Sequence, residues 1–166
     1  MELVKKIDLI KFTKITLLIL LGTLLLTISA KVKIPFYPVP MTMQTFVVLF
    51  LGITLGPKIG SATVTLYLLE GIFGLPVFAN SPEKGIGLVY FTGPTMGYLI
   101  GFLIATYIAG HFKYDSCFGK SKLNSAFKNL IKLIFAVSFI YIFGLLWLGF
   151  LIGWDKPIFQ LGAYPF

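Results

Sequence analysis

At residues 74–101 the chain reads GLPVFANSPEKGIGLVYFTGPTMGYLIG. Glycine and proline recur throughout this stretch, which also contains Asn80, whereas the sequence on both sides of it is strongly apolar. Irregular backbone at membrane depth must be covered by protein or line a wet cavity, because lipid cannot hydrogen-bond its N–H and C=O groups. We therefore predict that this stretch supplies the wall and lid of a binding site.

The composition is that of a membrane protein. Hydrophobic residues make up 57% of the 166 residues, charged residues only 12%, and the mean hydropathy is +0.93. A soluble domain carries about 25% charged residues. Several apolar runs are long enough to cross a bilayer as helices. We expect an all-α integral membrane protein that forms a single membrane domain over residues 1–166.

The apolar runs predict helices at about 13–33, 41–55, 58–73, 93–112 and 126–154, with a further segment beginning at 157–166. A signal peptide is the alternative for the first run, but later runs share its composition, which favours a membrane helix. The second and third runs are short and are joined by Gly56-Pro57-Lys58, which predicts a helical hairpin. The segment IPFYPVP at 34–40 contains three prolines, so it should be extended.

The net charge of +8 arises from fourteen basic residues, all of them lysine. Placing the N-terminus in the cytoplasm and alternating the helices puts most of them inside, as the positive-inside rule requires: Lys5, Lys6, Lys11, Lys14, Lys58, Lys113, Lys120, Lys122, Lys128 and Lys132. The proline-rich segment and residues 74–93 then both lie outside. Nucleic-acid binding is not expected, since arginine is lacking and the aromatic residues sit within apolar runs.

We expect no enzymatic activity, no metal site and no cofactor, because no catalytic or metal-binding motif is present. A membrane-embedded enzyme would need paired polar groups on facing helices, and none can be assembled. Neutral polar groups beside aromatic rings suit a neutral cyclic urea or amide ligand. The candidate site residues are Asn80, Gln44, Phe36, Phe78, Tyr90, Thr95 and Tyr98. The alternative is that Asn80 is a turn residue and Gln44 a helix-cap partner.

Four motifs in order carry a family resemblance: PVPMTMQ at 38–44, GPK at 56–58, GLPVFA at 74–79 and GPTMGYLIG at 93–101. Together they resemble the BioY family, the biotin-binding S components of energy-coupling-factor (ECF) transporters, over about residues 34–110. The resemblance implies a six-helix fold with a biotin pocket near the outer surface, covered by the loops after the first and third helices. It also implies that Asn80 contacts the ureido ring.

The implied partners are biotin as the transported ligand, membrane lipids, a transmembrane coupling protein and two cytosolic ATPases, in the bacterial cytoplasmic membrane. A second copy of the chain is a further candidate. The alternatives are an S component for another small vitamin or a truncated, non-functional biotin transporter.

Two departures from the family pattern bear on the pocket. Met96 stands where the family has a glycine. The family also continues after the final Pro-Phe into a sixth helix with an aspartate and a lysine that hold the ligand, so we expect that helix to be largely missing. Lys84 is then a weak candidate for the carboxylate partner.

Overall fold

The computed structural model describes the backbone of residues 2–34, 37–114 and 122–163, and the side chains of 9–34, 37–114 and 124–163. Within the described residues, Leu9–Lys31 and Asn124–Ile152 are each long and apolar enough to cross a membrane, Gln44–Ile72 is an apolar stretch of 29 residues, and Met96–His111 is a shorter apolar helix of 16 residues. The prediction of an all-α, multi-pass membrane protein is confirmed. In chain order the elements are α1 Glu2–Lys31, β1 Lys33–Ile34, β2 Met41–Thr42, α2 Gln44–Ile72, a 3₁₀ helix Gly87–Thr92, α3 Met96–His111, α4 Lys122–Ile152 and α5 Ile158–Gly162.

Helix α2 is a hairpin of two antiparallel arms. Its helical geometry is interrupted at Gly56, whose φ of 76° and ψ of 175° suit glycine and reverse the chain before Pro57. The Gln44 amide nitrogen lies 2.8 Å from the Tyr67 hydroxyl, although a straight helix would separate these residues by about 34 Å. The hairpin expected from the Gly-Pro-Lys turn is therefore present, with arms at 44–55 and 57–72.

The helices pack in series, so that α2 contacts α1 and α3, α3 contacts α4, and α4 contacts α5. Small residues let the backbones approach closely. A Cβ added at Gly97 of α3 would lie 2.5 Å from the Trp147 Cβ of α4, and one added at Gly52 of α2 would lie 2.5 Å from the Thr106 carbonyl of α3. These tight crossings hold the bundle that supports the connector between α2 and α3.

The predicted boundaries around the first two helices need correction. Helix α1 begins at Glu2 rather than near residue 13, because no glycine or proline in this polar segment stops the helix. It ends at Lys31 rather than 33, since β1 pairs with β2 in antiparallel register, Lys33 with Thr42. The same pairing delays the start of α2 from 41 to Gln44.

The later boundaries shift for local reasons. Helix α3 begins at Met96 rather than 93, because Gly93 is extended, with ψ of 172°. Helix α4 ends at Ile152 rather than 154, since Gly153 has a φ of 89°. Of the segment expected at 157–166, the structure contains the short helix α5, and residues 164–166 lie outside the described part of the chain.

Candidate ligand-binding site

The connector between α2 and α3, residues 73–95, is fastened to the end of α1 by two lysines. The Lys31 ammonium donates hydrogen bonds to the carbonyl oxygens of Phe78 at 2.8 Å and Ser81 at 2.7 Å. The Lys33 ammonium donates to the Ala79 carbonyl at 2.9 Å and to Asn80 Oδ1 at 3.0 Å. Irregular backbone that is buried needs such partners, and here the ammonium groups supply them.

Asn80 lies at the centre of this arrangement. It is 8% exposed, and its backbone N–H donates to the Tyr90 hydroxyl at 3.5 Å. The Thr95 side chain lies beside the same hydroxyl. Burial raises the pKa of Tyr90 above its ordinary value, while the Thr95 side chain and the Asn80 N–H oppose the rise. The structure thus brings together three of the predicted site residues.

Phe78 anchors the connector in the protein core. It is 1% exposed, and its ring stacks on Tyr90 with centroids 4.6 Å apart. The rings of Tyr67 and Phe91 meet it edge-on, each at 5.4 Å. A Cβ added at Gly71 would lie 2.0 Å from the Phe78 ring, so the ring fits only because that position is glycine. In this conformation one face of Phe78 is therefore covered by Tyr90.

Gln44 is joined to the connector through Tyr67. Gln44 is 3% exposed and donates to the Tyr67 hydroxyl, which donates in turn to the Val77 carbonyl at 3.1 Å. This chain of hydrogen bonds runs from the first residue of α2 to the start of the buried segment 77–81. It fixes the side-chain amide of Gln44 at the open end of the hairpin.

Tyr98 points elsewhere, and Phe36 lies outside the described residues. The Tyr98 hydroxyl donates to the Gly162 carbonyl of α5 at 2.9 Å, and its ring lies against Gly144 of α4. Its polar group thus joins α3 to α5, whereas Asn80 and Tyr90 are hydrogen-bonded at the connector with Thr95 beside them.

The proline-rich loop and the connector meet at the surface. The Lys84 ammonium lies 5.8 Å from the centroid of the Tyr37 ring. Lys33 lies 3.8 Å from the carboxylate of Glu83, which is 79% exposed. Beside Lys33 opens a cavity of about 250 Å³, lined by Val32, Lys33, Ile34, Met41, Thr42 and Met43. The two irregular segments therefore form one end of the molecule together.

Sequence reasoning missed three residues of this site: Lys31, Lys33 and Tyr67. The two lysines follow an apolar run, where charges at a membrane boundary are typical, and their partners lie 46 to 50 residues away in the chain. Tyr67 lies inside an apolar run. A tyrosine facing Gln44 across a predicted hairpin is the signal that would have found it.

The connector offers neutral hydrogen-bonding groups and aromatic surface rather than a metal centre. Among the side chains of residues 9–34, 37–114 and 124–163, no three His, Cys, Asp or Glu residues come together. An amide and two hydroxyl groups within a buried setting can hold a neutral polar ligand by donated and accepted hydrogen bonds.

Comparison with known proteins places the chain in a family. The BioY family model matches residues 4–166. The chain belongs to the BioY family. A probable biotin transporter BioY of Pyrococcus horikoshii is 35% identical over 90% of this chain and 82% of its own length. The biotin transporter BioY of Thermotoga maritima is also 35% identical, over 87% of this chain and 79% of its own length.

The fold agrees with a solved structure of the same kind. The S-component for biotin from an ECF-type ABC transporter matches with a TM-score of 0.70 and 28% identity, over 90% of this chain and 78% of that one. The resemblance noted from the four motifs is confirmed for the family and for the fold.

Proposed function

We propose that this BioY chain captures biotin as the substrate-binding S component of an ECF-type transporter. The observation that carries the proposal is the match to the biotin S-component over 90% of the chain. The connector adds a physical reason, because its buried amide and hydroxyl groups complement a neutral cyclic urea. The function is transport rather than catalysis.

Within that function, the ligand site is the open end of the α2 hairpin with the connector and the proline-rich loop. Asn80 is the contact to the ureido ring, and the hydroxyl groups of Tyr90 and Thr95 lie next to it. Aromatic side chains provide apolar surface for the rest of the ligand. The proposed site comprises Asn80, Gln44, Phe36, Phe78, Tyr90 and Thr95, with Tyr98 in a supporting role because its hydroxyl donates to the Gly162 carbonyl of α5.

We place the protein in the cytoplasmic membrane with its N-terminus inside. The turn at Gly56 lies against Gly110 near the end of α3, where a Cβ on Gly110 would come within 2.5 Å of the Pro57 nitrogen. The connector lies at the opposite end. Lysines concentrate at the Gly56 end, which the positive-inside rule assigns to the cytoplasm. We propose that transport also requires a transmembrane coupling protein and two cytosolic ATPases, as the resemblance to ECF S components implies.

A binding measurement tests the proposal. The purified protein in lipid nanodiscs is titrated with biotin, with thiamine and riboflavin as competitors. We expect saturable biotin binding that neither competitor displaces. Asn80→Ala should weaken it by ~1–3 kcal/mol, or about 5- to 150-fold, because a buried polar partner is left unpaired. Asn124→Ala, at an exposed position on α4, is the matched control and should bind like wild type.

Two results would count against the proposal. Folded wild-type protein that shows no saturable biotin binding removes biotin as the ligand. Saturable binding that Asn80→Ala leaves unchanged removes Asn80 from the site.

A further inference from the structure

We propose that Lys33 is a positioning residue that turns the Asn80 side chain so that its N–H groups, and not its oxygen, face the ligand. The inference rests on the proposed function and adds that Asn80 donates, rather than accepts, the hydrogen bond to the ligand. The atoms that carry it are Lys33 Nζ and Asn80 Oδ1, 3.0 Å apart.

The chemistry of lysine decides which atom of the amide it holds. An ammonium group has three donors and no acceptor, so the atom of Asn80 that faces it is the oxygen. The amide of an asparagine is otherwise nearly two-fold symmetric about its last torsion, and either end can point toward a ligand. Lys33 removes that ambiguity and leaves the two N–H groups of Nδ2 as the donors.

Lys33 is itself well held. Its backbone pairs with Thr42 in the β1–β2 ladder, and its ammonium also binds the Ala79 carbonyl at 2.9 Å. Its side chain is 26% exposed, so water competes only partly for these bonds. Because the fixed Lys33 ammonium orients the Asn80 amide before the ligand arrives, less conformational entropy of that side chain is lost on binding.

The ligand group that fits two N–H donors is an acceptor. In biotin that group is the ureido carbonyl oxygen, whereas the ureido nitrogens are donors. The site should therefore reject an analogue in which this oxygen is replaced by a donor. In 2-iminobiotin an imine nitrogen takes the place of the oxygen, and at neutral pH it is protonated and can only donate.

Lys31 is the matched control for Lys33. It fastens the same connector to the same helix end, but it binds only the backbone carbonyls of Phe78 and Ser81. Replacing either lysine by methionine removes one ammonium and two hydrogen bonds. For Lys33→Met one of the two lost bonds is to the side-chain oxygen of Asn80, whereas for Lys31→Met both lost bonds are to backbone carbonyls.

The experiment measures the ratio of the dissociation constants for 2-iminobiotin and biotin at neutral pH, in nanodiscs, for each variant. Wild type should favour biotin by about a hundredfold or more, since a site that pairs a substrate oxygen rejects an analogue lacking it. Lys33→Met should reduce that ratio by about tenfold, because the freed amide can present its oxygen to the cation. Lys31→Met should weaken both ligands in parallel and leave the ratio as in wild type.

Asn80→Asp is the second variant and keeps the Lys33 contact. A carboxylate has acceptors only, so the preference should invert toward 2-iminobiotin. Biotin still preferred by Asn80→Asp would overturn the proposal, as would equal ratios in Lys33→Met and Lys31→Met.

Biotin methyl ester tests whether Lys33 instead binds the ligand carboxylate directly. If it does, Lys33→Met would weaken the binding of biotin but not of the ester, which would also overturn the proposal. Wild type that binds no biotin at all would refute the proposed function itself.

Discussion

Gln44 and Tyr67 are hydrogen-bonded across the open end of the α2 hairpin, with 2.8 Å between the amide nitrogen and the phenol oxygen. The same phenol donates to the Val77 carbonyl and so ties the hairpin to the connector. Tyr67→Phe leaves both partners unsatisfied in a buried setting. We expect it to reduce the free energy of unfolding by ~1–3 kcal/mol, visible as a lower apparent melting temperature in detergent.

The control for this change is Tyr107→Phe. Tyr107 lies on α3 and is 50% exposed, so its hydroxyl is not confined among buried partners. Equal melting temperatures for Tyr67→Phe and wild type would show that the hydrogen-bonded chain contributes nothing to stability.

The hairpin was predictable because its signal is local. Gly56-Pro57-Lys58 interrupts an apolar run, and glycine followed by proline favours a turn there. The connector was predictable as irregular backbone for the same reason. Alternating the predicted helices across the membrane placed the proline-rich segment and the connector on the same side. The contact between Lys84 of the connector and Tyr37 of the proline-rich segment agrees with that prediction.

The role of the lysines was not predictable from the sequence. Lys31 and Lys33 have the spacing of ordinary charges at a membrane boundary, and such charges need no protein partner. Three of their four partners are backbone carbonyls of a segment 46 to 50 residues away in the chain, and a backbone acceptor cannot be identified from residue types. Asn80 was identifiable as a neutral polar group beside aromatic residues and from the family resemblance, whereas its link to Lys33 required the fold.

Phe78 depends on the absence of a side chain at Gly71. An added methyl group would lie 2.0 Å from the ring, so Gly71→Ala must displace Phe78 from its place beside Tyr90. Overpacking of this kind costs about 1–3 kcal/mol. We expect a lower melting temperature together with weaker biotin binding, because the displaced segment carries Asn80.

A double-mutant cycle checks this explanation. Phe78→Leu shortens the side chain, so Gly71→Ala should cost less in that background, with a coupling energy of about 0.5–3 kcal/mol. Strictly additive effects of the two substitutions would contradict the proposed clash.

Burial of the Tyr90 hydroxyl should make the free energy of unfolding fall at alkaline pH. Burial raises the pKa of its hydroxyl above the ordinary value of 10.0, so above that pH the unfolded chain loses a proton that the folded chain retains. Stability is therefore unaffected by this group below about pH 10 and falls as the pH rises further. Tyr90→Phe should make the alkaline decline of the melting temperature shallower. An identical decline in the variant would argue that Tyr90 does not contribute to it.

Lys84 and Glu83 should influence the rate at which biotin arrives. Both are exposed at the tip of the connector, near Lys33, and biotin is an anion at neutral pH. Exposed charges change the rate at which a charged ligand associates more than the rate at which it dissociates. We expect Lys84→Gln to lower the association rate constant by less than about tenfold at low salt, and Glu83→Gln to raise it, with little change in the dissociation rate. Stopped-flow measurements at two ionic strengths check this, since both effects should shrink as salt screens the charges.

Biotin methyl ester, which is neutral, should show neither effect. A large rise in the dissociation rate of biotin from Lys84→Gln would instead make Lys84 a direct partner of the ligand carboxylate, because only a contact in the bound state slows departure.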